Sequence, residues 1–182
     1  MTKKYNSVLI IGMGLIGSSI SRALVENHVA NSVYGLDTND KIIKKCHDLN
    51  LLVKGETNLN NFDLQFDLII ICTPLSAYKN IFSSLSDFIS QPTLITDVGS
   101  TKMSTISDFK NAVTNNNITF VPSHPIAGLE KSGPEYGFSK LFDNRYCILT
   151  PYEKNDAATS SISEMWNSIG MTVELMEADR HD

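Results

Sequence analysis

Val8-Leu-Ile-Ile-Gly12-Met-Gly14-Leu-Ile-Gly17-Ser-Ser19 is the stretch whose reading decides the fold. Four apolar residues run into Gly12-x-Gly14-x-x-Gly17, and apolar residues at helical spacing follow through Asn27. That is a strand turning into a helix at a glycine corner, the context in which this spacing binds a dinucleotide. Gly12 permits the tight turn, Gly14 lets the backbone approach a pyrophosphate, and Gly17 lets the helix pack closely on the sheet. The amides of Leu15 and Ile16 then lie at the positive end of the helix dipole, where an anion is favoured.

Asp37 stands twenty residues beyond Gly17, closing the apolar run Val33-Tyr-Gly-Leu. A carboxylate there accepts hydrogen bonds from an adenosine ribose and repels a 2′-phosphate, and Thr38 and Asn39 supply no cation to offset that. The expected cofactor is therefore NAD rather than NADP.

Outward from this unit, short β-branched runs alternate with helical stretches, the pattern of an α/β fold with a doubly wound, mostly parallel sheet (Rossmann-like). Strands are expected at about 7–12, 32–37, 67–72, 93–97, 117–121, 145–150 and 171–175. Helices are expected at Leu15–Asn27, Ser76–Phe88, Thr101–Val113 and Asp156–Ile169. His28 and His47 fall on expected helices and should be solvated. Pro122 to about Asn144 breaks the rhythm with Gly128, Gly133, Pro134 and Gly137, and long irregular segments of that kind are often functional.

The bulk numbers narrow the function. The chain has 182 residues, 42% of them hydrophobic and 19% charged, as expected of a globular domain able to bury a core. Its net charge of −5 and scattered lysines exclude a nucleic-acid surface. Lys3 and Lys4 precede an apolar run that glycines soon interrupt, so neither a signal peptide nor a membrane span is expected, and a cytoplasmic location is. Three cysteines, Cys46, Cys72 and Cys147, show no pairing or metal spacing. No Gly-x-Ser-x-Gly elbow indicates a hydrolase, and no metal site is expected.

Three more segments can carry chemistry. Cys72-Thr73-Pro74 ends an expected strand, where Thr73 and Pro74 could line the adenosine side or simply start the next helix. Cys72 reads as a buried apolar residue rather than a nucleophile. Thr96-Asp-Val-Gly-Ser100-Thr-Lys102 carries a hydroxyl past a strand end. Ser100 is open to two compatible readings, an N-cap and a group facing the nicotinamide end of the crevice. Lys102, in the first helical turn where the dipole disfavours a cation, is available for an anion or cofactor contact. His124, after Ile118–Val121 and held between Pro122 and Pro125, is the candidate base, because a neutral imidazole can take the proton of an alcohol being oxidised. His181 and Asp182 end the chain and cannot be judged from their neighbours.

Together these motifs resemble the prephenate and arogenate dehydrogenases of tyrosine biosynthesis. The residues that carry the resemblance are Gly12-Met-Gly-Leu-Ile-Gly17-Ser, Cys72-Thr-Pro74, Asp97-Val-Gly-Ser100-Thr-Lys102 and His124-Pro-Ile-Ala-Gly128-Leu-Glu130-Lys-Ser-Gly133, with Leu141-Phe-Asp-Asn-Arg145-Tyr-Cys-Ile-Leu-Thr-Pro151. The resemblance implies oxidative decarboxylation of a cyclohexadienol, prephenate or arogenate, with hydride passing to NAD. By that analogy His124 accepts the carbinol proton, and Ser100 bonds His124, the substrate hydroxyl or the nicotinamide. Gly128 and Glu130 flank the substrate pocket, Glu130 at its mouth. Cofactor contacts fall on Gly12, Gly14, Leu15, Ile16, Gly17, Asp37, Cys72, Thr73, Pro74 and Ser100.

Members of the family continue into a helical domain that makes the dimer and closes the pocket. Residues 1–178 correspond to the nucleotide-binding domain and 179–182 to the start of the helical one, so a homodimer is expected only with that region. The three arginines, Arg22, Arg145 and Arg180, do not fall where they would clamp the two carboxylates of prephenate. An incomplete site is expected, binding NAD better than it turns over substrate. Two other readings stay open: a related dehydrogenase for another small acid, and an NAD-binding module without activity of its own.

Overall fold

The structure is a computed structural model that describes residues 4–182; Lys3 of the basic pair lies outside them. The first half alternates β1 (Tyr5–Ile11), α1 (Leu15–Glu26), β2 (Ala30–Leu36), α2 (Asp40–Asp48), β3 (Lys54–Glu56) and β4 (Leu68–Ile71). The second half runs through α3 (Tyr78–Phe88), β5 (Thr93–Asp97), α4 (Met103–Ala112), β6 (Ile118–Phe120), β7 (Ser123–Pro125) and β8 (Arg145–Leu149). It closes with α5 (Asp156–Ser168), β9 (Met171–Leu175) and the short α6 (Ala178–His181).

Strands β1 to β6 form one parallel sheet in the order β3-β2-β1-β4-β5-β6, in register Val8↔Val33 on one side of β1 and Val8↔Leu68 on the other. A parallel sheet covered on both faces needs strands apolar on both sides, which is why β4 reads Leu-Ile-Ile-Ile without a polar residue. The period of two then divides the core. Val8, Ile10, Leu68 and Ile70 face the layer containing α1 and α5, whereas Leu9, Ile11, Ile69 and Ile71 face α3 and α4. The strand order reverses between β1 and β4, and in such sheets the crevice beyond the carboxyl ends at the reversal is the ligand site. Gly12 and Cys72 sit on its two sides.

The last expected strands do not extend this sheet. β8 and β9 pair parallel, and β7 pairs antiparallel to β8 (His124↔Ile148), making a second, three-stranded sheet. β3 and β7 fall outside the expected strands: each is only three residues long, too short for alternation to register. The irregular segment thus begins in a strand and then makes two 3₁₀ turns, Pro134–Tyr136 and Ser139–Phe142. His28 is exposed as expected but lies in the turn after α1, at φ 56°, not on the helix; His47 is exposed on α2. Among the described residues no helix is long and apolar enough to cross a membrane.

On the α3–α4 face, Phe82 is the centre of an aromatic cluster, with ring centroids 5.9 Å from Tyr78, 5.3 Å from Phe109 and 5.2 Å from Phe120. It is fully buried. Phe82→Ala should cost about 3–5 kcal/mol in urea unfolding, since such a cavity cannot collapse between a helix pair and a sheet. A loss below about 1 kcal/mol would mean that this face repacks freely.

Candidate functional site

The glycine corner is built as a ligand would need it. Gly12 holds φ +93°, and a Cβ there would lie 2.7 Å from the Cys72 carbonyl oxygen. A Cβ on Gly17 would collide with the Gly12 carbonyl, so α1 could not start so close to β1. Gly14 differs: its φ is −73°, and a Cβ there would point into open space. It is also the N-cap of α1 and offers no side chain to the helix amides, and the first turn has no acidic residue. The first intrahelical bond is Ser18 N–H to the Gly14 carbonyl, so Leu15, Ile16 and Gly17 bring their amides to the corner ahead of it.

Asp37 follows β2 and braces this corner. Its carboxylate accepts from Met13 N–H at 2.9 Å and from Asn39 N–H at 2.9 Å, leaving lone pairs for a further donor. Two clefts open on either side of Gly14 and Asp37. One, of about 540 Å³, is lined by Leu36, Thr38, Cys72, Thr73, Pro74 and Ile81 among others. The Thr73 hydroxyl is buried there without a hydrogen-bond partner, an arrangement that costs free energy until a ligand group meets it. Cys72 is half-buried at this wall, and burial raises its thiol pKa, so it is no nucleophile. The other cleft, of about 620 Å³, is lined by Lys41, Lys44 and Lys45 of α2, and by Ser132, Gly133 and Glu135. Lys45 reaches across it to Glu135 at 2.6 Å. These lysines come from the next helix turn and were invisible in a reading confined to Thr38 and Asn39.

Past β5 the structure corrects two expectations. Lys102 is not available to an anion: it is fully buried, 2.6 Å from Asp97 Oδ2 and 2.7 Å from the Ser123 carbonyl oxygen. Ser100 is not the N-cap of α4. The helix starts later, its N-cap is Lys102, and its first amides, Lys102 N–H and Met103 N–H, are taken by the carboxylate of Asp182 at 2.8 and 2.9 Å. Ser100 is exposed at the strand end and makes no hydrogen bond to His124 in this structure.

His124 is placed by its neighbour. Ser123 N–H donates to Asp97 Oδ1 at 3.0 Å, and the Ser123 hydroxyl donates to the Asp97 carbonyl and accepts from Trp166 Nε1 at 3.2 Å. This suspends β7 from the end of β5, on the carboxyl edge that also carries Gly12 and Thr73. The half-buried His124 ring meets His181 rather than Ser100, Nδ1 to Nε2 at 2.9 Å, and His181 Nδ1 lies 2.8 Å from Asp182 Oδ1. Burial, then the neighbouring His181 and Lys102, hold the His124 pKa below its ordinary 6.5. Gly128 and Glu130 are exposed in the loop after β7. Arg22 is committed to the Ser18 and Pro134 carbonyls, and Arg145 and Arg180 are exposed.

The Asp97–Lys102 pair generates a stability test. Lys102→Met should cost about 3–5 kcal/mol by urea unfolding, because it strands a buried carboxylate, and adding Asp97→Asn should recover part of the loss. A single-variant loss near zero would mean that water reaches Asp97.

The chain is similar to known proteins along nearly its whole length. Residues 20–175 match the family model described as prephenate dehydrogenase, nucleotide-binding domain. The match begins past the glycine corner, which therefore rests on its own structure. The chain is 33% identical to a cyclohexadienyl dehydrogenase of Zymomonas mobilis, covering 98% of this chain and 60% of that protein. It is 30% identical to a prephenate dehydrogenase of Bacillus subtilis, over 100% of this chain and 49% of that one. The crystal structure of Aquifex aeolicus prephenate dehydrogenase in complex with hydroxyphenyl propionate and NAD+ superposes with a TM-score of 0.89 at 32% identity, covering 97% of this chain and 61% of that one. A Synechocystis arogenate dehydrogenase at 22% identity shares the fold, with a TM-score of 0.86. The chain spans about half to three fifths of the length of these relatives. On the family match over residues 20–175, the chain belongs to the family of the prephenate dehydrogenase nucleotide-binding domain.

Proposed function

We propose that this domain binds NAD and supplies the base for oxidative decarboxylation of prephenate to 4-hydroxyphenylpyruvate. The observation that carries the reading is the carboxyl edge of the six-stranded sheet. It presents uncapped helix amides, an unpartnered buried hydroxyl and a half-buried imidazole held toward its neutral form.

The residues fit a dinucleotide. The open space beside Gly14 admits a pyrophosphate to the amides of Leu15, Ile16 and Gly17. Asp37 has acceptor capacity for a ribose hydroxyl, and Thr73, with Cys72 and Pro74, lines the adenosine side. When bound, NAD would supply the hydride acceptor for oxidation of the ring carbinol carbon. His124 takes the carbinol proton as that carbon becomes a carbonyl. The carboxylate on the ring then leaves as CO₂, its bonding electrons aromatise the ring, and the new phenolate oxygen takes up a proton. Aromatisation supplies the driving force, so the protein's task is positioning and charge. Ser100, exposed beside the edge, would bond the substrate hydroxyl or the nicotinamide, and Gly128 and Glu130 would flank the entry.

The committed or exposed state of all three arginines favours a site that is completed by further residues. On its own the chain should bind NAD and turn over substrate poorly, and a dimer should need the remaining family length. Arogenate, which differs from prephenate away from the carbinol, is the alternative substrate.

NADH formation from NAD with prephenate, and with arogenate in parallel, tests the reading. It should be run on this chain alone and on the chain extended by the C-terminal part of a relative. Turnover of either acid names the reaction. NAD binding without turnover in the extended protein would favour a non-catalytic module. His124→Asn should abolish turnover while leaving NAD affinity within about twofold, since the imidazole acts on the proton and not on the nucleotide. Because the active imidazole is neutral and burial lowers its pKa, turnover should fall as pH drops, with its midpoint below that of an ordinary histidine. A rate flat down to pH 5, or one already falling at pH 7.5, would remove His124 from that role. Asp37→Ser should narrow the preference for NAD over NADP, because Lys41 and Lys44 then face the 2′-phosphate without an opposing carboxylate. An unchanged ratio would mean that another residue reads the ribose.

A further inference from the structure

The edge of the sheet contains a hydrogen-bond chain that the proposed reaction does not itself require. It runs from the N-terminus of α4 through Asp182 and His181 to His124. Asp182 accepts from Lys102 N–H at 2.8 Å and Met103 N–H at 2.9 Å, and its Oδ1 faces His181 Nδ1 at 2.8 Å. The His181 side chain is 5% exposed, and its Nε2 lies 2.9 Å from His124 Nδ1. The ring planes meet at 74°, edge to face.

We infer that His181 and Asp182 are positioning residues that fix the tautomer of His124, leaving its Nε2 lone pair as the base. The argument is one of donor and acceptor counting. A carboxylate that accepts two amides at a helix N-terminus is held ionised. Burial alone would raise the Asp182 pKa, but the Lys102 amide, the His181 ring and the Met103 amide together keep it below its usual value. An ionised carboxylate only accepts, so His181 Nδ1 must carry the hydrogen. A neutral imidazole with Nδ1–H has a lone pair at Nε2, so His181 Nε2 accepts and His124 Nδ1 must donate. His124 Nε2 is then bare. Without this chain a neutral imidazole favours the opposite tautomer, with hydrogen on Nε2, which is useless as a base at that atom. Ser100 takes no part in the chain, which leaves it the substrate hydroxyl or the nicotinamide.

The catalytic value of the arrangement rests on the reading of His124 as the base; the hydrogen-bond chain itself does not. The two are tested separately. Loss of turnover in His124→Asn addresses the base, whereas nitrogen chemical shifts of ¹⁵N-histidine-labelled protein address the tautomer with no need for activity. In the unsubstituted chain at pH 8, His124 Nδ1 should be pyrrole-like and Nε2 pyridine-like. The Nδ1–H form should exceed the other by on the order of tenfold, the bias that one hydrogen bond supplies. His181→Leu should abolish the bias and shift His124 toward Nε2–H. His181→Gln should restore it, because an amide can turn its oxygen to His124 and its NH₂ to Asp182. Asp182→Asn should weaken the bias, because one amide group cannot accept from both backbone amides and also from His181.

A purely structural staple would leave the His124 tautomer unmoved in His181→Leu, and that result overturns the inference. So does dominance of Nε2–H in the unsubstituted chain, a measurement that stands even if a variant fails to fold.

Discussion

The ion pair between Asp97 and Lys102 is the constraint on which the rest of the edge depends. Both side chains are fully removed from water, where an unpaired charge would be intolerable. The fold tolerates them because most of their hydrogen-bonding capacity is met: the Asp97 carboxylate accepts from Ser123 N–H, Gly99 N–H and Lys102, and Lys102 also donates to the Ser123 carbonyl. Three pieces of chain are thereby tied to one point. They are the end of β5, the start of α4 and the short strand that carries His124. A buried pair of this kind is weak evidence for net stability. Its effect here is geometric, since it ties to the end of β5 a three-residue strand whose other support is its pairing with β8.

The nucleotide half of the edge works by the opposite device, groups left unsatisfied. A helix start without a side-chain cap and a buried Thr73 hydroxyl without a partner both cost free energy in the free domain. Local strain and unpaired polar groups of this sort gather where a ligand will meet them. The two halves thus differ in character. The imidazole side is completed by the chain's own residues, and the dinucleotide side waits for a guest.

Much of this was legible in order of residues. The glycine spacing, the acidic residue after β2 and the alternation of strand and helix lead to the parallel sheet, because each is a local rule that the fold obeys locally. What was not legible depends on contacts far apart in sequence. Lys102 read as a spare cation because its counter-ion lies five residues back on a strand and its acceptor twenty-one residues ahead. His181 and Asp182 have no role legible from their neighbours because their partners are fifty-seven and eighty residues away. One signal was available: a buried strand ending in an aspartate, with a lysine one turn on, invites a search for a pair. The second sheet was not legible because period marks a strand but not its partner: β8 and β9 were expected as strands, and only their pairing with three-residue β7 sets them apart from the main sheet.

Gly14 separates two demands that usually fall on the same residue. Gly12 and Gly17 are required by the backbone itself, so any replacement is punished at folding, before a ligand is ever encountered. Gly14 has an ordinary φ and empty space where a side chain would go. Selection for a folded, abundant protein would favour a capping side chain at this N-cap, and only nucleotide use favours the bare glycine. A lineage that abandoned the cofactor while keeping the domain would record the change first at residue 14, with the flanking glycines still intact.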